Sequence, residues 1–159
     1  MRHIELGKHF ALKIILPALA GNSVARARFN REAKLASEIS HPNIVSVVDF
    51  GDDPEHGAFM VMELVHGEPL IGTGVLPMSI RAAVDVLRQV ADAVEHIHKR
   101  RIIHGDIKAE NLVLTEESQL DSRSGARRRK VVRLLDFGLA SRHGQHEGGR
   151  VAGTPQYLA

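Results

Sequence analysis

The sequence predicts an α+β chain in two parts, and three observations carry that prediction. Short apolar runs bounded by Pro and Gly, among them Phe10–Leu16, Ile44–Phe50 and Ala58–Val65, read as strands. Residues 22–40 and 79–99 carry apolar positions at helical spacing instead. Between these segments Gly67, Pro69, Gly72, Gly74 and Pro77 crowd together, which marks a linker rather than a packed element. The expected division is therefore residues 1–66 and 67–159.

Composition narrows the class. A hydrophobic fraction of 43% and a charged fraction of 25% over 159 residues suit a globular chain able to bury a core. The net charge of +2 is too small to argue for nucleic acid from bulk electrostatics, so no nucleic-acid partner is expected. Cysteine is absent, which excludes disulfides, thiolate zinc sites and cysteine nucleophiles. That absence fits a reducing, cytoplasmic setting. No apolar run approaches the ~18 residues of a membrane span, and Met1–Glu5 carries no signal core, so neither a membrane segment nor secretion is expected of this chain.

In order, Phe10–Leu16 is a strand ended by Pro17, with Ala11, Lys13 and Ile15 on one face. Asn22–Ser23 caps a helix running to about Ser40, where His41–Pro42 stops it. Its apolar stripe is Ala25, Phe29, Ala36 and Ile39, and Glu32 falls within it. Taken singly, Lys13 reads as an edge-strand lysine reaching water and Glu32 as a structural carboxylate. Taken together, two charges on packing faces point to an ion pair. Ile44–Phe50 and Ala58–Val65 then form a hairpin across a turn at Gly51–Pro54. From Ser79 to Lys99, Ile80, Ala83, Val84, Leu87, Val90, Ala91, Val94 and Ile97 make the strongest helical pattern, and His98 joins that face as a hydrogen-bonded core histidine. Thr115–Lys130, ending in Arg127-Arg128-Arg129-Lys130, reads as a long solvated loop between two strands.

The chemistry concentrates in Ile102–Leu114. Two apolar runs there flank His104-Gly105-Asp106-Ile107-Lys108-Ala109-Glu110-Asn111, and a turn alone would not need an acid, a lysine and an amide. Asp136 sits at the end of another apolar run, in Leu134-Leu135-Asp136-Phe137-Gly138. Two carboxylates, an amide and a lysine at neighbouring strand ends suit metal-bound phosphate.

These residues resemble the protein kinases, specifically the Ser/Thr branch found in bacteria, and the family's motifs stand here in its order. The resemblance implies a two-lobed fold and transfer of the γ-phosphoryl of ATP to a Ser or Thr hydroxyl of a protein substrate. It implies that Lys13, in Ala11-Leu12-Lys13, pairs the α- and β-phosphates and that Glu32 holds Lys13. It places Met62, Glu63 and Val65 at the hinge, where backbone groups of Glu63 and Val65 would bond adenine. Asp106 corresponds to the catalytic aspartate, Lys108 to the lysine that neutralises the transferring group, and Asn111 and Asp136 to the ligands of magnesium, with manganese as the alternative ion. Phe137 and Gly138 complete the Asp-Phe-Gly motif, and Thr154, in Gly153–Ala159, resembles the activation-segment threonine.

There are departures. The Gly-rich phosphate-covering loop is missing, and the chain stops at Ala159 where Pro-Glu would follow, so a domain truncated at both ends is the expectation. Gly105 replaces the arginine that receives an activation-loop phosphate, and His143–Ala152 contains no Ser, Thr or Tyr; a switch by phosphorylation in that window is not expected. Two alternatives stay open: a non-catalytic binding module of the same fold, and a small-molecule kinase of the aminoglycoside type, which shares the His-Gly-Asp run. A parent protein anchored to a membrane outside this segment is also compatible.

Overall fold

The computed structural model describes residues 1–71, 77–121, 125–137 and 141–142. Strand β1 (Phe10–Ile14) is followed by a single helical turn, α1 (Pro17–Ala20), and then by helix α2 (Ser23–Ser37). The Asn22 side chain caps α2 by accepting from the backbone N–H of Val24 and Ala25. Strands β2 (Val47–Asp53) and β3 (Gly57–Glu63) form a hairpin, and β3 is the central strand of an antiparallel sheet ordered β1-β3-β2. Helix α2 packs on this sheet through Phe29 and Ala33, which share a small core with Ile15, Ala58 and Met60.

Beyond β3 come the short strand β4 (Glu68–Pro69), the long helix α3 (Ile80–Lys99), strand β5 (Ile102–Ile103) and a 3-10 turn at Ala109–Asn111. Strands β6 (Leu112–Asp121) and β7 (Gly125–Leu134) pair antiparallel throughout, and β4 adds to the outer edge of β6. The last strand, β8 (Ser141–Arg142), pairs with β5. The larger core gathers Val90, Ala93 and Ile97 of α3 with Leu112, Val132 and Leu134 of the β6–β7 hairpin. It also takes in Leu35, Ala36, Ile39 and Ile44 from the first part of the chain. Helix α2 and its exit thus contribute to both cores.

That exit is held by a neutral polar network. The buried Asn43 side chain donates to Gln89 Oε1 on α3 and to the Val132 carbonyl on β7, each at 2.9 Å. Gln89 Oε1 also accepts from the Val132 N–H at 3.0 Å. Backbone bonds from Leu134 N to Asn43 O and from Val45 N to Leu134 O complete the seam. Every buried amide group here finds a partner, as burial demands.

Several expectations are corrected. Helix α2 ends at Ser37 rather than Ser40, with Glu38 as its C-cap. Strand β2 begins at Val47, because the backbone around Ile44 bonds to Leu134 through Asn43 O and Val45 N instead of to β3, and it continues through Gly51. The turn falls on Pro54–His56, where Asp53 Oδ1 accepts the N–H groups of Glu55 and His56. The start of the expected linker is packed: Glu68–Pro69 pairs with β6 and Leu70 is buried. A Cβ on Gly67 would lie 2.4 Å from the Leu114 carbonyl oxygen.

Helix α3 has the expected span and a Ser79 cap, but its apolar positions cover too wide an arc for one contact. Val86, Val90, Ala93 and Ile97 face inward, whereas Ile80, Val84 and Leu87 are 85%, 58% and 66% exposed. His98 is exposed rather than a core histidine. It is His96 that is partly buried, its ring 4.9 Å from that of His41.

The basic run is not a loop. Lys130 and Arg129 lie opposite Glu116 and Glu117 in the β6–β7 register, and Arg128 pairs with Glu116 at 3.2 Å.

Candidate active site

Strand alternation puts Ala11 and Lys13 on the same face as the buried Ile15, with Ala11 opposite Met62 and Lys13 opposite Met60. Lys13 does not reach out to water. Its Nζ lies 2.5 Å from Glu32 Oε1 and 2.8 Å from Asp136 Oδ1. One ammonium thus joins β1, α2 and the segment after β7. Burial opposes the charge on Lys13, but the bonds from Asp136 and Glu32 outweigh it and hold its pKa above the ordinary lysine value. Glu32 is 7% exposed, and burial raises its pKa above the usual carboxylate range despite Lys13. Two carboxylates compete for one cation, and the more deeply buried carries the penalty.

Asp136 adopts φ +57°, the left-handed region, which costs an L-residue about 1–2 kcal/mol. The next residue, Phe137, is buried with its ring 4.7 Å from His104. His104 is 1% exposed. Its Nδ1 accepts the Asp106 N–H at 3.3 Å, so Nε2 carries the proton and donates to the Leu135 carbonyl at 3.3 Å. Burial lowers the His104 pKa and keeps the ring neutral. This neutral histidine therefore ties the backbone of the Asp106 loop to that of the Asp136 segment. A second tie is the Leu135 N–H donating to the Asn111 carbonyl at 2.8 Å.

Around Asp106 the loop folds on itself. Asn111 Nδ2 donates to the Asp106 carbonyl at 2.8 Å and to its Oδ2 at 3.2 Å. Lys108 Nζ lies 2.8 Å from the same Oδ2, and that bond holds the lysine pKa above its ordinary value. Gly105 precedes Asp106 at φ +81°, a conformation that explains glycine at this position. The structure thus brings Lys13, Glu32 and Asp136 together and, separately, Asp106, Lys108 and Asn111, with the two groups joined through His104 and Leu135. Met62 and Glu63 end β3 and Val65 follows it, all three partly buried. Gly138 and Thr154 lie outside the described residues.

The donor set fits a hard divalent cation that takes part of its coordination from phosphate. Asp136 and Asn111 offer oxygen ligands, and among the described residues no three His, Cys, Asp or Glu side chains form a cage of their own.

Sequence reasoning missed Arg133. Its guanidinium forms an ion pair with the Glu63 carboxylate and donates from Nη1 to the Pro42 carbonyl at 2.8 Å. The signal was available: Arg133 is the lone charge of Val131-Val132-Arg133-Leu134-Leu135, and Glu63 is the lone charge of Val61–Val65. The Asn43–Gln89 network left no comparable trace, because neutral amides occur on any surface.

Among the described residues no helix is long and apolar enough to cross a membrane. Comparison with known proteins supplies the class. Serine/threonine-protein kinase pkn2 of Myxococcus xanthus is 36% identical over 98% of this chain and 18% of its own length. Serine/threonine-protein kinase Pkn1 of the same organism is 34% identical over 99% of this chain and 22% of its own. For serine/threonine-protein kinase PknA of Mycobacterium tuberculosis the figures are 33%, 98% and 35%. The chain therefore spans between about a fifth and a third of the length of these relatives. The family model described as the protein kinase domain matches residues 1–159. On that match, with a lysine–glutamate–aspartate cluster tied through His104 and Leu135 to an Asp-Lys-Asn loop, this chain belongs to the protein kinase domain family.

Proposed function

We propose that the chain is the catalytic portion of an ATP-dependent serine/threonine protein kinase, with residues 1–66 on the nucleotide side and 67–159 on the substrate side. The observation that carries this reading is the bonding of Lys13 to both Glu32 and Asp136, which brings a phosphate-binding cation beside a metal-binding acid. The names of the relatives support serine and threonine as the acceptors. A cysteine-free composition supports a cytoplasmic setting.

In this reading Lys13 contacts the α- and β-phosphates while Glu32 keeps its ammonium in place. Backbone groups of Glu63 and Val65 take adenine, and Ala11 and Met62 flank its plane. Asp136 and Asn111 would hold magnesium, which would supply positive charge to offset that developing on the transferring phosphoryl group. Asp106 orients the Ser or Thr hydroxyl and accepts its proton as the oxygen bonds the γ-phosphorus and the bond to the β-phosphate oxygen breaks. Lys108, already against Asp106, meets the charge on the transferring group.

Asp106→Asn in the full-length protein tests the assignment. The amide keeps the contacts to Asn111 while losing the base, so phosphotransfer to protein should fall by about 10²–10⁴-fold with nucleotide affinity within about threefold of wild type. Turnover that survives would remove Asp106 from its role. Transfer to small alcohols but not to proteins would replace the substrate class.

A further inference from the structure

Arg133 sits at a three-way junction. It lies on β7 between Val132 and Leu134, which are 1% and 0% exposed, and its own side chain is 14% exposed. Nη2 pairs with Glu63 at the end of β3, Nη1 donates to Pro42 O at 2.8 Å, and Nε is buried without a hydrogen-bond partner. A guanidinium with one orphaned N–H is a costly thing to bury, and burial pulls its pKa below the ordinary arginine value. The two remaining contacts offset that cost only while Glu63 and Pro42 both stay in place. Displacement of either segment would leave more of the buried cation unpaired.

The two segments serve different halves of the site. Pro42 belongs to the exit of α2, the helix that carries Glu32. Glu63 belongs to the segment assigned above to adenine, and its N–H donates to Ser46 O, four residues beyond Pro42. We propose that Arg133 is a positioning residue that clamps the adenine-lining segment to the foot of helix α2. Nucleotide engagement and the Lys13–Glu32 pair are thereby kept in one register. The nucleotide half of this statement rests on the functional reading above; the mechanical half does not.

The test is Arg133→Met, which keeps the apolar stem and removes every donor, in the full-length protein, beside Glu63→Gln and the double variant. Amide hydrogen exchange should speed up by about fivefold or more at Val45 and Glu63 together. Amides of the buried seam of α3 should stay as in wild type, which separates release of the clamp from general unfolding. The KM for ATP should rise by about fivefold or more with kcat within twofold in Arg133→Met, and the double variant should match Arg133→Met, which already removes both contacts of the clamp. Faster exchange at only one of the two segments overturns the clamp, as does an unchanged KM in an active enzyme. A wild-type protein without phosphotransfer would refute the functional reading, and the exchange data would still decide the clamp.

Discussion

Two polar clusters stand on either side of the exit from α2, and they are built on opposite rules. One is ionic and partly open: Lys13 bridges Glu32 and Asp136, with a third of the lysine side chain and nearly half of the Asp136 side chain exposed. The other is built on amides and buried: Asn43 and Gln89 are 8% and 2% exposed, bond to each other and to the backbone of Val132, and Gln89 Nε2 donates outward to Asp85 and the Lys130 carbonyl. The ionic cluster is not arranged for stability. Burial pushes the Glu32 carboxyl up, and Asp136 occupies a backbone conformation that L-residues avoid. Under the proposed function, such strain suits groups that exchange one another for a ligand. The amide network is anchored instead by side-chain-to-backbone bonds, reaches a charge only at its rim, where Gln89 Nε2 donates to Asp85 at 3.1 Å, and fastens the exit of the helix that carries Glu32. On the proposed function, the frame is held by amides and the working parts are charged.

The largest expected effect comes from removing the cation. Lys13→Met should lower kcat/KM by about 10²–10³-fold, the scale of losing one electrostatic contact to a reacting group. Its stability cost should depend on pH, and the sign follows from Glu32. Without Lys13, the buried Glu32 carboxyl titrates still higher than it does in the wild-type protein. A carboxyl whose folded pKa lies above its unfolded value holds its proton more tightly when folded. Its contribution is present at pH below the unfolded value and is lost as pH rises through the folded one. Chemical denaturation should therefore find Lys13→Met closer to wild type at pH 5 than at pH 8. A penalty independent of pH would mean that Glu32 finds another partner.

The neutral network should answer differently. Gln89→Leu puts an apolar side chain of similar volume in its place, strips the acceptor from Asn43 Nδ2 and the Val132 N–H, and removes the donor to Asp85 and the Lys130 carbonyl. Leaving such groups unsatisfied should cost about 2–3 kcal/mol, equally at pH 5 and pH 8. In thermal melts that is a fall of very roughly 4–12 °C for a domain of this size. Phosphotransfer measured below the melting transition should change far less than in Lys13→Met. If the two variants shared one pH profile, the division between frame and working parts would fail.

This division also explains what could be read in advance. A charge placed where apolar residues are expected is conspicuous, so Lys13 and Asp136 in apolar runs, Glu32 within a helical stripe and Asp106 in a polar segment between apolar runs stand out from spacing. Amides that satisfy one another across positions 43, 89 and 132 carry no such mark. Neither did the β6–β7 ribbon. Both of its faces near Glu116 and Lys130 are solvated, so there is no apolar alternation to reveal a strand, and the acids opposite the basic run are set only by register. On α3, periodicity announced the helix but could not say which of two apolar seams would be covered, because that depends on what packs against it. Arg133 was legible and unread: its partner Glu63 lies seventy residues away in sequence, and pairing lone charges requires knowing which strands meet.

The smallest effect isolates the backbone from both clusters. Gly105 holds φ +81° between the buried His104 and Asp106 in sequence, and it carries no side chain of its own. Gly105→Ala adds a methyl group in a conformation disfavoured for L-residues and should cost about 1 kcal/mol. Gly105→Asn should cost less, because asparagine enters the left-handed region more readily than alanine does. Melting temperatures should therefore rank Gly above Asn above Ala. A Cβ that strains only the backbone leaves the Asp106–Asn111 bond intact, so kcat should follow the same order within a few-fold. Equal melting temperatures for Ala and Gly would show that the loop relaxes to negative φ. The His104 Nδ1 bond to Asp106 would then have to lengthen, and activity would fall without any loss of stability.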